Sequence, residues 1–446
     1  MKAKKIVALL MAGVMMFGLV ACGEKNSSTN GESSNNESNG SSESPQWDHL
    51  DWTKGADASG GKVTLRVVTW RQYDKAYYEE LERRFEEKYD WIDVQLQITA
   101  NSSAYYSNVQ ADITDGTAPD VMDMHRANMR DYARDGVLAP QTNFDYMEKY
   151  SKVAQGTSVI DGENYGFMLG YNYYGLIYNT DIFEKVGLAI PKTPEELVSV
   201  VNKLKDAGYG GIAYPAATNN SKFATNIVSI CVGNDAGLEL GIDDGSITDI
   251  TTVDGVEEAF ETIKYYVDNN IFYNAYEGIS YEAAVTLFAQ EKAPIMYGGT
   301  YMLGEAEQTY PDINFGYFAI PTYSGNSLNP SEPSQHACIS ASSKNLGAAK
   351  LWVEFLALPE NSEYFCSNSK IISTIEGVTS DDEVMQMIKN SSEGFVLETP
   401  DTENSAYWYL AYRAVFDNVM LKKKDWKKEV EKLTRKLEDY DLSSLK

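Results

Sequence analysis

The folded part of the chain opens with Val63-Thr64-Leu65-Arg66-Val67-Val68-Thr69-Trp70, whose β-branched residues are typical of a β-strand. Apolar and aromatic side chains then recur every four positions from Tyr77 to Tyr89, a spacing that predicts a helix. Residues 92–98 alternate apolar and polar side chains and predict a second strand. A strand, a helix and a strand in succession indicate an α/β fold with helices that cross over a sheet.

The pattern continues along the 446 residues, a length that corresponds to about two or three domains. One helix is predicted from Pro194 to Gly208, since proline favours the first helical position and glycine the position after the last. The polar stretch from Ser324 to Gln335 is predicted to cross between domains, and the alternative is a long loop. Other elements are a strand near 119–124, an extended segment over 165–178, a strand over 315–320, and helices over 256–267, 348–358 and 426–437.

The N-terminus predicts export from the cell. Three lysines in the first five residues precede an apolar run of 15 residues, Ile6 to Val20, which is shorter than the ~20 residues of a spanning helix. The run ends in Leu19-Val20-Ala21-Cys22-Gly23, which looks like a bacterial lipobox. We therefore expect a signal peptide over 1–21, a lipidated Cys22, and a disordered Ser/Asn/Gly tether over 22–61. The alternative is an ordinary signal peptide in which Cys22 is incidental.

The charge argues against polyanionic partners. The formal net charge is −27, and it becomes −30 without the three N-terminal lysines. A nucleic acid is excluded as a partner, because few basic groups are available to balance its phosphates. Cys231, Cys338 and Cys366 are widely spaced, and the sequence has only three histidines, so we expect neither a metal site nor a cofactor.

Catalytic signatures are missing, whereas aromatic residues are abundant. The sequence has no GxSxG, GxxxxGK[ST], GxGxxG after a strand, or HExxH motif, so no catalytic residue is predicted. A pair of carboxylates acting on a glycosidic bond stays open, since sequence does not show their separation. Tyrosine outnumbers phenylalanine by 31 to 15, with clusters such as 171–174 and 407–412. A tyrosine offers an apolar ring and a polar tip, which suits a sugar with its apolar C–H face and the hydroxyls at its edge.

Several short motifs occur in order along the folded part. Asp115-Gly116-Thr117-Ala118-Pro119-Asp120-Val121 is one, and the longest pair is Gly175 to Phe183 followed by Pro191 to Leu197. The other motifs are Trp70 with Asp74-Lys75, residues 132–138, Met296 to Tyr301, Ile339 to Asn345, and Trp408-Tyr409 with Arg413 to Val415. Together they resemble the extracellular solute-binding proteins of carbohydrate ABC importers, of the maltodextrin-binding type.

The resemblance implies a two-lobed periplasmic-binding-protein fold with the ligand cleft between discontinuous lobes joined by a hinge. Lobe one is expected at 62–171 and 329–380, and lobe two at 172–328 and 381–446. It also implies which residues bind the ligand. These candidates are Trp70, Gln72, Asp74, Lys75, His125, Asn128, Tyr171, Asn172, Phe223, Asn226, Tyr301, Trp408 and Tyr409.

The resemblance further implies a monomer that binds an oligosaccharide without chemistry and delivers it to the membrane subunits of an importer. The lipid anchor would hold it on the outer face of the bacterial cytoplasmic membrane. Two alternatives stay open. One keeps the fold but binds a polyamine or another small cation, because of the net charge and of acidic residues near the predicted cleft: Asp74, Asp120, Asp123 and Glu163. The other is a carbohydrate-active enzyme at the cell surface.

Overall fold

The computed structural model describes most of residues 47–438, which belong to one compact unit that begins at Trp47. The described ranges are 47–99, 102–218, 221–233, 238, 241–242, 246–325, 328–391, 394–397 and 405–438. Within them, the side chains of 308–309, 394–397, 405–411 and 438 are outside the description. The predicted signal peptide and Cys22 lie outside the described residues.

The strands begin with the predicted strand–helix–strand unit. They are β1 Val63–Thr69, β2 Ile92–Ile98, β3 Val121–Met124, β4 Leu138–Ala139, β5 Val159–Ile160, β6 Glu163–Asn164, β7 Phe167–Met168, β8 Gly170–Asn179, β9 Ile295–Gly299, β10 Phe315–Phe318, β11 Leu328–Pro333, β12 His336–Ser340, β13 Ile372–Ser373 and β14 Gly394–Leu397.

Two mixed sheets organise these strands. In the first, the order is β2-β1-β3-β12-β4 with β7 beside β12, and β1 is parallel to both β2 and β3. In the second, the order is β10-β8-β11-β14, with β9 and β13 also beside β8. The long strand β8 is therefore the organising element of the second sheet. β5 and β6 form a separate hairpin.

The described helices cover both sheets. They are α1 Lys75–Lys88, α2 Ser102–Thr114, α3 Arg126–Arg134, α4 Lys152–Ser158, α5 Thr180–Val186, α6 Pro194–Asp206, α7 Lys222–Val232, α8 Val256–Asp268, α9 Tyr281–Ala289, α10 Tyr301–Thr309, α11 Leu346–Leu356, α12 Pro359–Ser369, α13 Glu383–Asn390, α14 Ser405–Met420 and α15 Trp426–Glu438. No helix within the described ranges has the length and apolar character needed to span a bilayer.

Helix α6 shows how local sequence sets an element. The Thr193 hydroxyl oxygen accepts a hydrogen bond from the Glu196 N–H at 3.2 Å, which satisfies one of the free donors of the first turn. Pro194 takes the first helical turn, and Gly208 follows the helix with a φ of 91°, a conformation that favours glycine. The predicted start and stop of this helix are confirmed.

The chain passes between the two sheets at adjacent points. It leaves β7 for β8 at Leu169 and returns from β11 to β12 through Ser334 and Gln335. The Ser334 N–H donates to the Gly170 carbonyl at 2.9 Å, and the Leu169 N–H donates to the Gln335 carbonyl at 3.2 Å. These hydrogen bonds hold the two crossing segments side by side.

His336, at the start of β12, makes the stability of the fold sensitive to acid. Its side chain is fully buried, and burial lowers its pKa to about 3, with Arg126 and His125 nearby also disfavouring the charged form. The unfolded chain therefore binds a proton on this residue below a pH of about 6.5, while the folded chain does not. The contribution of His336 to stability is consequently lost as the pH falls below about 6.5.

We expect the change His336→Gln to reduce this acid sensitivity by about 1.6 kcal/mol between pH 6.5 and pH 5. The measurement is the free energy of unfolding by urea across that range, in the wild type and the variant. Burial raises the pKa of Asp123 to about 6, which opposes the effect in both proteins and cancels in the comparison. His49→Gln, at an exposed histidine, is the control. Parallel pH profiles for the wild type and H336Q would contradict the prediction.

Candidate ligand-binding cleft

A cleft of about 430 Å³ opens beside the crossing segments. Its volume falls within the range of small-molecule sites. Side chains from the loops after β1 and β3, from β8 and β11, and from several helices meet there. The lining consists of Trp70, Arg71, Tyr73, Asp74, Ser102, His125, Asn172, Tyr174, Thr218, Lys222, Tyr281, Glu282, Tyr301, Glu305, Glu332, Pro333, Ser334, Gln335 and Arg413.

Trp70 and His125 line the part of the cleft at the end of β1, and Tyr105 and Tyr106 pack against Trp70 outside the lining. The ring centroid of Trp70 lies 4.5 Å from that of His125, and Tyr105 and Tyr106 lie 5.1 and 5.7 Å from Trp70. The Tyr106 hydroxyl accepts a hydrogen bond from the His125 N–H at 2.8 Å. His125 is exposed to the cleft, yet desolvation by the surrounding groups lowers its pKa. The imidazole of His125 is therefore neutral at pH 7.

A second aromatic group lines the other part of the cleft. Tyr281 and Tyr301, at the starts of α9 and α10, stack with a centroid distance of 5.8 Å and an interplanar angle of 11°. Tyr73, from the loop after β1, lies 5.8 Å from Tyr281. Burial raises the pKa values of Tyr73 and Tyr301 to about 12. These hydroxyls are therefore protonated at neutral pH, able to donate and to accept hydrogen bonds.

Two charge pairs lie in the cleft. Arg71 pairs with Asp74, which is 3% exposed and also accepts a hydrogen bond from the Ser369 hydroxyl at 2.7 Å. Lys222 Nζ lies 3.3 Å from a carboxylate oxygen of Glu332 and 4.6 Å from the centre of the Tyr174 ring.

The Tyr174 hydroxyl donates to the same carboxylate at 2.6 Å. Burial by itself would raise the pKa of Glu332, but Lys222 and this hydroxyl outweigh it, so the pKa is lowered. Glu332 is thus ionised and paired at neutral pH. Glu305 is different, because burial raises its pKa, and the Tyr281 hydroxyl contacts it.

Two buried amides also line the cleft. Asn172, on β8, is 6% exposed, and Gln335, in the crossing segment, is 1% exposed. Among the described residues, no group donates a hydrogen bond to Asn172 Oδ1 or to Gln335 Oε1. The cleft therefore combines aromatic faces with hydrogen-bonding groups and two ion pairs, and Glu282, Glu305 and Arg413 also line it.

The structure brings part of the predicted ligand-binding set together. Five of those residues line the cleft: Trp70, Asp74, His125, Asn172 and Tyr301. Gln72 and Lys75 are exposed outside the lining, and Lys75 pairs with Glu79 at 3.5 Å. Asn128 is half-buried on α3. Trp408 and Tyr409 belong to α14, but their side chains lie outside the described residues.

Three predicted site residues are buried in the core instead. Phe223 and Asn226, on α7, are both 0% exposed, and the Phe223 ring packs 5.0 Å from Tyr297. Tyr171 is 4% exposed, and its hydroxyl interacts with Ser151. None of the three is among the residues that line the cleft.

Sequence reasoning missed several lining residues. Arg71 and Tyr73 lie between predicted residues of one loop, and Tyr174 belongs to the tyrosine cluster at 171–174, so a local signal exists for them. Some of the others lie in segments that the sequence pointed to for other reasons, such as Arg413 in a family motif and 332–335 in the predicted crossing, and the rest come from segments with no signal for the cleft. Together these other residues are Ser102, Thr218, Lys222, Tyr281, Glu282, Glu305, Glu332, Pro333, Ser334, Gln335 and Arg413.

Comparison with known proteins assigns the chain to a family. The family model described as "Bacterial extracellular solute-binding protein" matches residues 80–392, well over half of the chain. The chain belongs to this family. A binding protein of Brucella abortus is 23% identical over 270 residues, which are 60% of this chain and 64% of that protein, so the chain spans just under two thirds of that relative's length. The "Multiple sugar-binding protein" of Streptococcus mutans is 22% identical over 311 residues, 68% of this chain and 73% of that protein.

The fold is shared with solved structures of solute-binding proteins. The apo-form of RafE from Streptococcus pneumoniae matches with a TM-score of 0.67 and 20% identity, and the match covers 84% of this chain and 97% of that chain. RafE has also been solved in complex with raffinose, and that structure matches with a TM-score of 0.66. The predicted two-lobed α/β fold is confirmed by this likeness.

Proposed function

We propose that the chain binds a neutral extracellular oligosaccharide in the cleft, by hinge closure, and delivers it to an ABC importer. The observation that carries the proposal is that one cleft is lined by the stacked pair Tyr281–Tyr301, by the Trp70–His125 pair, and by the buried amides Asn172 and Gln335. Aromatic rings cover the apolar faces of sugar rings, and amides and hydroxyls bind the hydroxyl groups at their edges. The sugar-binding protein of Streptococcus mutans and the raffinose complex of RafE support this ligand class.

The pairing of charges favours a neutral ligand over a cationic one. Of the four acidic residues that suggested a polyamine, only Asp74 lines the cleft, and it is paired with Arg71. Asp123 is buried and bound by the Tyr78 hydroxyl at 2.6 Å. Asp120 accepts hydrogen bonds from the Arg66 N–H and the Ser343 hydroxyl, and Glu163 accepts one from Thr142. A polyamine bound by these four carboxylates would have to displace their partners.

The remaining features of the proposal concern location and assembly. We propose that the protein acts as a monomer, anchored by a lipid on Cys22 and separated from the membrane by the 22–61 tether. We propose lobes at 62–171 with 329–380, and at 172–328 with 381–446. The first sheet supports lobe one in outline, because it is built from strands within 63–168 and 336–340, whereas β13 and most of β11 lie within 329–380 but pair with β8 of the second sheet.

The test is a thermal-shift screen of residues 47–446. The panel holds raffinose together with xylo-, manno-, gluco-, galacto- and fructo-oligosaccharides, and spermidine represents the cations. A ligand at a hundred times its Kd adds about 2.7 kcal/mol of stability, so we expect one sugar series to raise the Tm. No rise with any sugar, together with a rise with spermidine that disappears at high salt, would overturn the proposal in favour of the cation binder.

A second assay on the same purified protein distinguishes binding from catalysis. We propose that the chain performs no chemistry on its ligand. After overnight incubation with the oligosaccharide that raises the Tm most, we expect no new reducing ends and complete recovery of the intact sugar by chromatography. Reducing-end release that tracks the purified protein would instead support the carbohydrate-active enzyme.

A further inference from the structure

Hydrogen bonds within the protein determine which way the Gln335 amide faces. Gln335 Nε2 donates to the Tyr78 hydroxyl oxygen at 3.0 Å. The Tyr78 hydroxyl in turn donates its only proton to Asp123 Oδ2 at 2.6 Å. An ionised carboxylate can only accept, so the tyrosine oxygen must accept from Gln335 and the NH₂ group must face Tyr78. The amide oxygen, Oε1, is therefore left as the acceptor on the other side.

That oxygen lacks a donor among the described residues, although it is buried. Buried acceptors without partners are rare and destabilising, which suggests a role for this one. Gln335 lines the cleft in the segment that joins β11 to β12, where the chain crosses between the sheets. A ligand that donates to Oε1 would thus contact the crossing segment directly.

We infer that Gln335 is a specificity-determining residue of the cleft, whose Oε1 accepts a hydrogen bond from a ligand hydroxyl. Tyr78 and Asp123 are positioning residues, which hold the amide in the orientation that presents its oxygen. The inference rests on the proposed function, because it requires a ligand rich in hydroxyl donors. It names a contact that selects such a ligand over one that offers only acceptors.

The hydrogen-bonded chain Asp123–Tyr78–Gln335 has a pH dependence that a purely structural contact would lack. If Asp123 gains a proton it can donate to Tyr78, which frees the tyrosine proton for Gln335 and favours a flipped amide with NH₂ toward the ligand. Burial raises the pKa of Asp123 to about 6, so the change falls in an accessible range. The groups that face Asp123 are Thr69, Arg71, Asp74, Tyr78 and Cys338, with Tyr105 on its backbone carbonyl.

The experiment measures Kd by calorimetry for raffinose and for the panel sugar with the largest thermal shift, at pH 7.5 and pH 5. The variants are Q335M, Y78F and Y105F. Tyr105 is the matched control, because its buried hydroxyl donates to the Asp123 carbonyl at 2.7 Å rather than to the side chain. At pH 7.5 we expect a loss of roughly tenfold or more for Q335M, roughly threefold to tenfold for Y78F, and less than about twofold for Y105F.

The pH comparison then distinguishes positioning from packing. We expect the wild type and Y105F to bind more weakly at pH 5 than at pH 7.5, and Y78F to lose this difference. Unchanged affinity in Q335M, with a wild type that binds sugar, overturns the inference and leaves the proposed function intact. Equal losses and equal pH profiles in Y78F and Y105F overturn the positioning role. A wild type that binds no sugar of the panel removes the proposed function, and the inference with it.

Discussion

Tyr301→Ala is expected to weaken oligosaccharide binding by about 2 kcal/mol, or roughly thirtyfold in Kd. Tyr301 stacks on Tyr281 and meets Tyr174 edge to face at 6.4 Å, so its removal takes away one aromatic face and loosens two others. The loss should appear mainly as faster release of the sugar, because the approach of a neutral ligand does not depend on this ring. Kd by calorimetry and the dissociation rate by stopped-flow fluorescence measure the two effects.

Two further variants make the result specific. Tyr301→Phe keeps the ring and removes only the hydroxyl, so we expect most of the affinity to remain. Tyr323→Ala removes a tyrosine that is 46% exposed and outside the cleft lining, and we expect no change. If Y301A binds as tightly as the wild type while remaining folded, the stacked pair is not the sugar platform and the site must lie elsewhere in the cleft.

Local patterns predicted the elements whose own sequence specifies them. The alternation in 92–98 is that of a strand with one buried face, and β2 pairs with β1 in continuous register from Val63 with Ile92 to Thr69 with Ile98. The extended segment at 165–178 was also predicted, although β8 lacks alternation. This strand is buried along almost its whole length between several neighbours, which explains its continuous run of apolar and aromatic residues.

The cleft residues that directly follow a predicted strand could be predicted from the sequence. Trp70 follows β1 and His125 follows β3, and the carboxyl ends of these parallel strands meet at one edge of the first sheet. Tyr281 and Gln335 could not be found in this way. The position of Tyr281 depends on how α9 packs. Gln335 ends the stretch predicted to cross between domains, but its place in the cleft depends on contacts between residues far apart in the sequence.

Helix phase explains why two predicted ligand contacts on α7 are buried. The resemblance pointed to Phe223 and Asn226 as facing the cleft, three positions apart on one helical face. The structure turns that face inward, so both side chains are fully buried, while Lys222 at the first helical position lines the cleft. A shift of one position in a helix rotates a side chain by about 100°, which is enough to exchange a cleft position for a core position.

Phe223→Ala is therefore expected to lower the free energy of unfolding by about 3–5 kcal/mol, the usual cost of deleting a fully buried aromatic ring. The ring packs against Phe272 and Tyr297, each at a centroid distance of 5.0 Å, and these contacts would be replaced by a cavity. Urea unfolding measures the loss, and Phe223→Leu, which fills most of the volume, should restore much of it. In the folded fraction of F223A, sugar affinity should stay within about threefold of the wild type, because Phe223 does not line the cleft. Wild-type stability combined with abolished binding would instead make Phe223 a ligand contact, as the resemblance implied.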